Sequence, residues 1–478
     1  MKKFICLLLS IFFVLPIIAC ENQAKLTKYE MDLTLNGDTL EAKTYVTYQN
    51  QTDREVANLY FSLYPNAFKQ GAKLKPIYEE YVLDAYYDGL SYGGLTINEI
   101  KSGGKDLEFS LEGEDDTTLK VELLNKLKKG ESVKIFMDFT VKLPKVNFRF
   151  GITENTINLT NFYPILCPEY EGQIYKCQYY PSGDPFYSEC ADYEVDITVP
   201  SSYVTASSLS AVKTECMGFT TKYSYKREKV RDIAFILSEK FNVLKQSVGE
   251  TDVYYYYYED TEAEKSFETI KKSLQFYSSK FSKYPYKEYV LTEADFIFGG
   301  MEYPCLTFID ASLSGENRDY CIAHETAHQW WYGLVGVNEC EEAFIDEGLT
   351  EFSTLLFMSE VLNKNLNDYI EKAKNSYLDI RKHLALLHKE ITPIMKKNSG
   401  EFISDADYVS IAYLRSQIAF NELYLYMGEK KFLSALKGVV NNYKYQNITY
   451  KELVNLFDKK KSGSKKLLDS FVYGESSV

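Results

Sequence analysis

Two histidines four residues apart constrain this chain more than any other feature of its sequence. The protein has only four histidines, and His324 and His328 enclose Glu325 in the segment His-Glu-Thr-Ala-His. On an α-helix, positions i and i+4 lie on one face, so both imidazoles can bind the same metal ion. Glu347 follows in the next segment and is expected to add a third ligand from a second helix.

These residue types predict a catalytic site for one zinc ion. A catalytic zinc has three protein ligands and keeps one position open for water. We expect His324, His328 and Glu347 to be the ligands, and Glu325 to take the proton of that water. The alternative is an ordinary helix whose histidines align by chance.

The sequence around the histidines is typical of a buried helix. Asn317 is the expected N-cap, and Gly333 or Gly336 the expected end. Both tryptophans of the chain follow His328 and are expected to pack beside the site rather than react. The apolar helical face comprises Ile322, Ala323, Ala327, Trp330, Trp331 and Leu334.

Residues 1–20 predict a lipoprotein signal peptide. Two lysines precede an apolar stretch over residues 4–18, which is shorter than a membrane span. The stretch ends in Ile-Ile-Ala-Cys, which resembles a bacterial lipobox and implies lipidation of Cys20. We therefore expect a bacterial protein anchored by lipid outside the cytoplasm. A plain secretory signal and an uncleaved anchor are the alternatives.

Seven cysteines follow Cys20, so an odd number would leave at least one thiol free. No Cys-x-x-Cys pair is present, and we expect no cysteine zinc site. Cys167, Cys177 and Cys190 are close enough in sequence for a disulfide, but the sequence leaves the pairing open. In an anaerobe all seven would be free.

The periodicity of apolar residues predicts an α+β fold with the β part first. Tyr193, Val195, Ile197 and Val199 alternate with polar residues, as expected for a half-buried antiparallel sheet or sandwich over residues 24–245. The tyrosine run over residues 254–258 is predicted to be a strand. Beyond it, apolar residues recur every three or four positions, which indicates a mainly helical domain over residues 246–478.

Together these motifs resemble the gluzincins of the aminopeptidase N and leukotriene-hydrolase family. His324–His328 with Glu347 is similar to the family's zinc motif, Phe344–Gly348 to its W-L-N-E-G segment, and Gly299–Tyr303 to its G-x-M-E-N motif. The resemblance implies an N-terminal β-sandwich or saddle domain and a thermolysin-like catalytic domain. The family's C-terminal helical domain is missing, which implies a more open cleft.

The resemblance also implies how a peptide substrate binds. Glu302 is expected to hold the free amine of the peptide, while Gly299, Gly300 and Met301 form a strand edge beside it. Asn161 falls near the place of a second amine anchor.

A tyrosine is expected to complete the site. By its position in the family pattern, Tyr413 donates a hydrogen bond to the developing oxyanion, with Tyr408 as a second candidate. Glu351, one turn after Glu347, is expected either to orient a ligand or to be solvated. The sequence departs from the family pattern at Tyr303, Asp346, Arg415 and Ser416.

The sequence therefore predicts a zinc aminopeptidase that acts on peptides with a free N-terminus. A zinc endopeptidase and a non-catalytic peptide-binding lipoprotein are the alternatives. The net charge of −14 argues against a nucleic-acid partner. Oligomeric state and the preferred N-terminal residue are not predicted.

Overall fold

A computed structural model describes residues 26–387, 391–476 and 478. The predicted signal peptide and Cys20 lie outside these residues. Within them, no helix combines the length and the apolar character needed to cross a bilayer.

Strands form most of the first half of the chain. Helix α1 (Val82–Ala85) and three short 3₁₀ turns lie between them. The strands are β1 (Lys28–Asn36), β2 (Thr39–Gln49), β3 (Val56–Ser62), β4 (Gly94–Ser102), β5 (Lys105–Asp106), β6 (Phe109–Glu112), β7 (Thr118–Leu127), β8 (Ser132–Lys142), β9 (Gly151–Ile152), β10 (Ile157–Thr160), β11 (Ile165–Leu166), β12 (Glu169–Tyr170), β13 (Gln173–Ile174), β14 (Ala191–Pro200), β15 (Val204–Ser207), β16 (Ser210–Cys216), β17 (Thr220–Val230) and β18 (Ala234–Ser238).

These strands build one large sheet and smaller sheets packed around a common core. The large sheet has the order β16-β17-β14-β1-β2-β8-β4-β5, and two four-stranded sheets have the orders β15-β18-β10-β9 and β11-β3-β7-β6. In β14, burial alternates residue by residue, as the sequence predicted. The large sheet is mixed rather than purely antiparallel, because β1 and β14 run parallel from Lys28 opposite Asp192.

The second half of the chain is mainly helical. Its strands are β19 (Asn242–Val248), β20 (Thr251–Tyr257), β21 (Glu288–Ala294), β22 (Gly300–Met301), β23 (Leu306–Asp310), β24 (Val335–Gly336) and β25 (Gln446–Asn447). Its helices are α2 (Ala263–Lys280), α3 (Gly315–Ala327), α4 (Glu339–Glu360), α5 (Leu366–Leu387), α6 (Asp405–Tyr408), α7 (Ser416–Met427), α8 (Glu429–Tyr443), α9 (Tyr450–Lys460) and α10 (Ser464–Val472). The predicted α+β class, with the β part first, is confirmed.

A five-stranded sheet positions the site. Its order is β19-β20-β21-β23-β22, and the predicted tyrosine strand is β20. The predicted boundary at residues 245/246 falls inside β19. Strand β22 pairs antiparallel with β23 and has no second neighbour among the described strands, so one edge of Gly300–Met301 is open.

A disulfide joins the two halves of the chain. Cys177, from the loop after β13, is bonded to Cys340 in the first turn of α4, 163 residues away in sequence. Neither cysteine that lies near Cys177 in sequence is its partner, since Cys167 and Cys190 are both free and buried. The disulfide therefore fixes the start of α4 against the β half.

Candidate active site

Helix α3 presents the two histidines. It begins after Ser314, not at the predicted cap Asn317, because the carbonyl of Ser314 accepts the first helical hydrogen bond, from Arg318 N at 3.4 Å. It ends at Ala327, six residues before Gly333, and the backbone of His328 already forms the cap. Turns follow in place of the longer helix that the apolar pattern indicated.

The predicted ligands converge on one point. His324 Nε2 and His328 Nε2 lie 3.0 Å apart, and Glu347 Oε2 from α4 lies 3.4 and 3.5 Å from them. All three side chains are buried, and Glu347 Oε2 has no hydrogen-bond donor among the described residues. Two imidazole nitrogens and one carboxylate oxygen fit the ligand chemistry of zinc, and an orphaned buried oxygen is explained by a bound cation.

Carboxylates on the far side of each imidazole fix the ring orientation. His328 Nδ1 lies 2.8 Å from Asp346 Oδ1, which leaves its Nε2 to face the metal position. His324 Nδ1 lies 3.0 Å from Glu351 Oε1, and the Tyr320 hydroxyl donates to the other oxygen of Glu351 at 2.5 Å. Glu351 is buried and lies beside a ligand rather than in solvent.

Glu325 lies on the same helix, between the histidines and the open strand. Burial raises the pKa of its carboxyl to about 7, and the two nearby imidazoles act in the opposite direction. Glu325 Oε2 is buried without a hydrogen-bond partner among the described residues, so it is available to a ligand. Gly300 faces the same carboxylate, and a Cβ at this position would lie 2.5 Å from Glu325 Oε1.

A π-helical segment between α6 and α7 positions both candidate tyrosines: Tyr413 lies on it, and Tyr408 is the last residue of α6. The segment spans Val409–Arg415, and Tyr408 caps it. A π-helix bonds residue i to i+5, so Tyr408 and Tyr413 are brought side by side, with ring centroids 5.9 Å apart. The sequence reading did not anticipate this segment.

The two tyrosines have different surroundings. The Tyr413 hydroxyl donates to Glu347 Oε1 at 2.6 Å, and its ring stacks on His324 at 6.0 Å. The Tyr408 hydroxyl is buried without a partner among the described residues, and it packs against Gly183 of the β half. Tyr413 therefore lies against the ligands, while Tyr408 lies against the β half.

Glu302 is buried beside the metal site, with a carboxylate oxygen within 4.8 Å of ligand atoms of His328 and Asp346. Its side chain is 4% exposed, and burial, followed by the negative charge of Asp184, raises its pKa well above the usual value. Asp184 forms an ion pair with Arg149, and both line the cleft from the β half. The sequence does not single out this pair, because Gly-Asp-Pro at residues 183–185 is typical of an ordinary turn.

Asn161, which falls near the expected place of a second amine anchor, forms hydrogen bonds within the protein. Its Nδ2 donates to Asp232 Oδ2 at 2.6 Å, and its Oδ1 accepts from the Tyr303 hydroxyl at 2.6 Å. Both ends of the amide are thus used, and the side chain is buried. Asn161 instead holds Tyr303, the residue that follows Glu302.

The metal position opens into a cleft of about 580 Å³. One wall comes from the β half, and another is formed by Phe296, Phe298, Gly299 and Gly300. Helices α3 and α5 and the π-helical segment close the remaining sides. The arrangement can bind an extended chain along β22 with its reacting bond beside Glu325.

Comparisons with known proteins agree with this geometry. Residues 265–473 match the Peptidase family M1 domain. A probable aminopeptidase 2 of Sulfurisphaera tokodaii is 23% identical over 236 residues, covering 46% of this chain and 30% of that protein. Aminopeptidase B of Rattus norvegicus is 27% identical over 167 residues, covering 34% and 25%. The chain thus matches about a quarter to a third of the length of these relatives.

A solved structure extends the likeness to nearly the whole chain. The M1 zinc metallopeptidase from Deinococcus radiodurans superposes with a TM-score of 0.69 at 15% identity, covering 95% of this chain and 94% of that one. At this identity the comparison shows the fold, including the β half that precedes the matched domain. The resemblance stated from the motifs is confirmed.

Proposed function

We propose that this chain, whose residues 265–473 form a peptidase family M1 domain, is a zinc aminopeptidase that removes N-terminal residues from peptides. The observation that carries the proposal is the placement of Glu302, a buried carboxylate with an oxygen within 4.8 Å of a ring nitrogen of His328, one of the metal ligands. A peptide amine held there fixes which bond meets the site. An M1 zinc metallopeptidase of the same fold has been solved with a Tyr-Ser-Ala substrate, which supports peptides as the substrate class.

The reaction requires one bound zinc ion, held by His324, His328 and Glu347. A zinc ion bound there would supply a Lewis acid for the scissile carbonyl and would make a water molecule acidic enough to ionise near neutral pH. Glu325 accepts the proton of this water at its unpartnered Oε2 and passes it to the leaving amine. Burial raises the pKa of this carboxyl above its usual value, which favours a group that must both take and return a proton.

Two further side chains position the substrate and stabilise the charge that develops. Glu302 accepts hydrogen bonds from the α-ammonium group, and the positive charge compensates its buried carboxylate. The Tyr413 hydroxyl, now 2.6 Å from Glu347 Oε1, turns to donate to the oxyanion. A preorganised donor of this kind lowers the barrier because it acts where charge grows.

The buried surroundings of Glu302 favour an aminopeptidase over an endopeptidase. Tyr303 is 0% exposed, and its hydroxyl donates to Asn161 of the β half. The space directly beyond Glu302 is therefore filled by protein and closed to a substrate. Asp184 and Arg149 line the cleft on the same side. Residues preceding the anchored amine would have to displace these buried groups.

A peptide panel tests the proposal. Zinc-loaded protein is expected to cleave the first residue from free peptides, while N-acetylated versions of the same peptides resist cleavage. Glu325→Gln is expected to retain zinc and lose about 100- to 10,000-fold in kcat. Equal cleavage of free and acetylated peptides would favour the endopeptidase, and absence of any cleavage would favour a peptide-binding protein.

A lipid anchor on Cys20 is proposed on the sequence of residues 1–20 alone. It would place the enzyme outside the cytoplasm, tethered to the cell membrane. Replacement of Cys20 by serine is expected to move the protein from the membrane fraction to the soluble fraction and to abolish incorporation of labelled palmitate. Unchanged fractionation together with unchanged labelling would exclude the anchor.

A further inference from the structure

The substrate strand has a defined direction along the cleft. Gly300 lies against Glu325, and a Cβ on Gly299 would lie 3.6 Å from Cys321 Sγ, one turn earlier on α3. The backbone from Glu302 back to Gly299 therefore leads from the proposed amine anchor, past the proposed base Glu325, toward the N-terminal half of α3. A peptide bound antiparallel to β22 runs the same way, with its N-terminus at Glu302. Its C-terminal part points toward the space between α3 and α5.

Helices α3 and α5 form the walls of this second end. The ring of Tyr320 on α3 lies 6.0 Å from the ring of Tyr369 on α5, and both residues line the cleft. Lys372, one turn after Tyr369 on the same face of α5, also lines the cleft and is exposed to solvent. This end of the cleft therefore carries an ammonium group beside the carboxylate of Glu316, whereas the carboxylate of Glu302 lies at the metal site, near His328.

The charge of Lys372 is available to a ligand. Within the described part of the chain its ammonium group forms no ion pair, while the other cation lining the cleft, Arg149, is paired with Asp184. Glu316, on the facing wall, is held by the ammonium group of Lys364 and by the Tyr369 hydroxyl, the latter at 2.6 Å. The charge of Lys372 also acts on this carboxylate, but from beyond ion-pair distance. An exposed, unpaired cation beside a substrate cleft attracts anions.

The length of the cleft suits a short peptide. Asn317 lines the second end and precedes His324 by seven residues on α3, which corresponds to about 10 Å along the helix axis. An extended chain covers about 3.4 Å per residue, so two to three residues beyond the scissile bond reach this end. The C-terminal carboxylate of a tri- or tetrapeptide would then arrive near Lys372.

We infer that Lys372 binds the C-terminal carboxylate of the substrate and that the enzyme prefers short peptides with both termini free. This inference rests on the proposed aminopeptidase function and specifies its substrate class. Glu302 recognises the positive end of the peptide and Lys372 the negative end. A peptide of three or four residues satisfies both, whereas a longer peptide carries its carboxylate beyond Lys372.

The test compares one tripeptide acid with its C-terminal amide. At low salt, wild-type kcat/KM is expected to be about three- to fivefold higher for the acid, as for an exposed ion pair, and the difference shrinks as salt is added. Lys372→Ala is expected to bring the ratio close to one. Lys374→Ala is the matched control, because Lys374 pairs with Glu371 on the same helix and does not line the cleft. It should keep the wild-type ratio.

Two outcomes overturn the inference, and both differ from failure of the proposed function. An acid-to-amide ratio of one in the wild type, or an unchanged ratio in Lys372→Ala, removes Lys372 as the carboxylate site even when both peptides are cleaved. A hexapeptide acid and its amide should be cleaved equally. When neither tripeptide is cleaved, calorimetric binding of the same pair to Glu325→Gln still reports whether Lys372 distinguishes them.

Discussion

The α-carbon of Gly300 packs directly against the carboxylate of Glu325. A Cβ on Gly300 would lie 2.5 Å from Glu325 Oε1 and 2.6 Å from its Cδ, closer than atoms approach without displacement. Glu325 Cγ would lie 2.7 Å from the same Cβ, so the whole end of this buried side chain would have to shift. The proposed base is therefore positioned by the absence of a side chain on the strand that faces it.

Replacement of Gly300 by alanine is expected to displace Glu325 and to lower kcat by about 100-fold, since small misplacements of reacting groups have effects of this size. Zinc content, measured by atomic absorption, should stay at one ion per chain. Gly299→Ala is the matched control, with an expected loss clearly smaller than that of Gly300→Ala, because its Cβ would meet only Cys321 Sγ at an ordinary 3.6 Å. Equal effects of the two substitutions would contradict the proposed contact.

Tyr413 and Tyr408 can be separated by removing one hydroxyl at a time. Tyr413→Phe is expected to lower kcat by about 100- to 1000-fold with little change in KM, because the lost hydrogen bond acts in the transition state. Tyr408→Phe is expected to lose less than about tenfold, since its hydroxyl packs against Gly183 and has no hydrogen-bond partner among the described residues. Steady-state kinetics on one amino-acid amide measures both losses. A larger loss of kcat in Tyr408→Phe than in Tyr413→Phe would contradict the assignment of Tyr413 as the oxyanion donor.

Zinc affinity is expected to rise with pH. Burial lowers the pKa of His324, but contacts with Glu347 and Glu351 outweigh it and raise the pKa to about 10. The metal-free site therefore holds a proton at neutral pH, and zinc must displace it because a ligating imidazole is neutral. Below pH 10 the apparent affinity should increase about tenfold per pH unit for each proton released. Chelator competition at several pH values measures this, and a flat profile would contradict it.

The Cys177–Cys340 disulfide is expected to stabilise the folded chain. Because it closes a loop of 163 residues, its removal in Cys177→Ser/Cys340→Ser should lower the free energy of unfolding by about 2–4 kcal/mol. Urea denaturation monitored by circular dichroism provides the measurement. The exposed free thiol Cys216 supplies a control, since Cys216→Ser should leave the midpoint unchanged. A double variant as stable as the parent would show that noncovalent contacts alone hold the start of α4.

The ligand set could be predicted because it depends on local geometry. The spacing of His324 and His328 places both on one helical face whatever the rest of the fold does. The N-cap was less certain, since polar residues at 314 and 317 both suit a cap, and only the backbone at Ser314 decides between them. The alternation of apolar and polar residues is likewise a local pattern. It predicted the strands of the β half but not the parallel pairing of β1 with β14.

Several features of the site could not be predicted from the sequence because they depend on contacts between distant segments. Cys340 lies 163 residues from its partner, and Asp184 reaches the cleft only because the β half folds against it. Asn161 was expected to meet the substrate, yet both ends of its amide are engaged within the protein. The π-helical segment also escaped prediction, because a five-residue hydrogen-bond step leaves no distinct apolar period over seven residues.

The hydrogen bond between Tyr303 and Asn161 has a consequence for how this protein can be altered. Each residue belongs to a different half of the chain, and each completes a polar group that would otherwise be buried alone. In a chimaera that combines one half of this chain with the other half of a homologue, Asn161 or Tyr303 would lose its hydrogen-bond partner unless the homologue supplied the same residue. Viable chimaeras should therefore inherit positions 161 and 303 from the same parent.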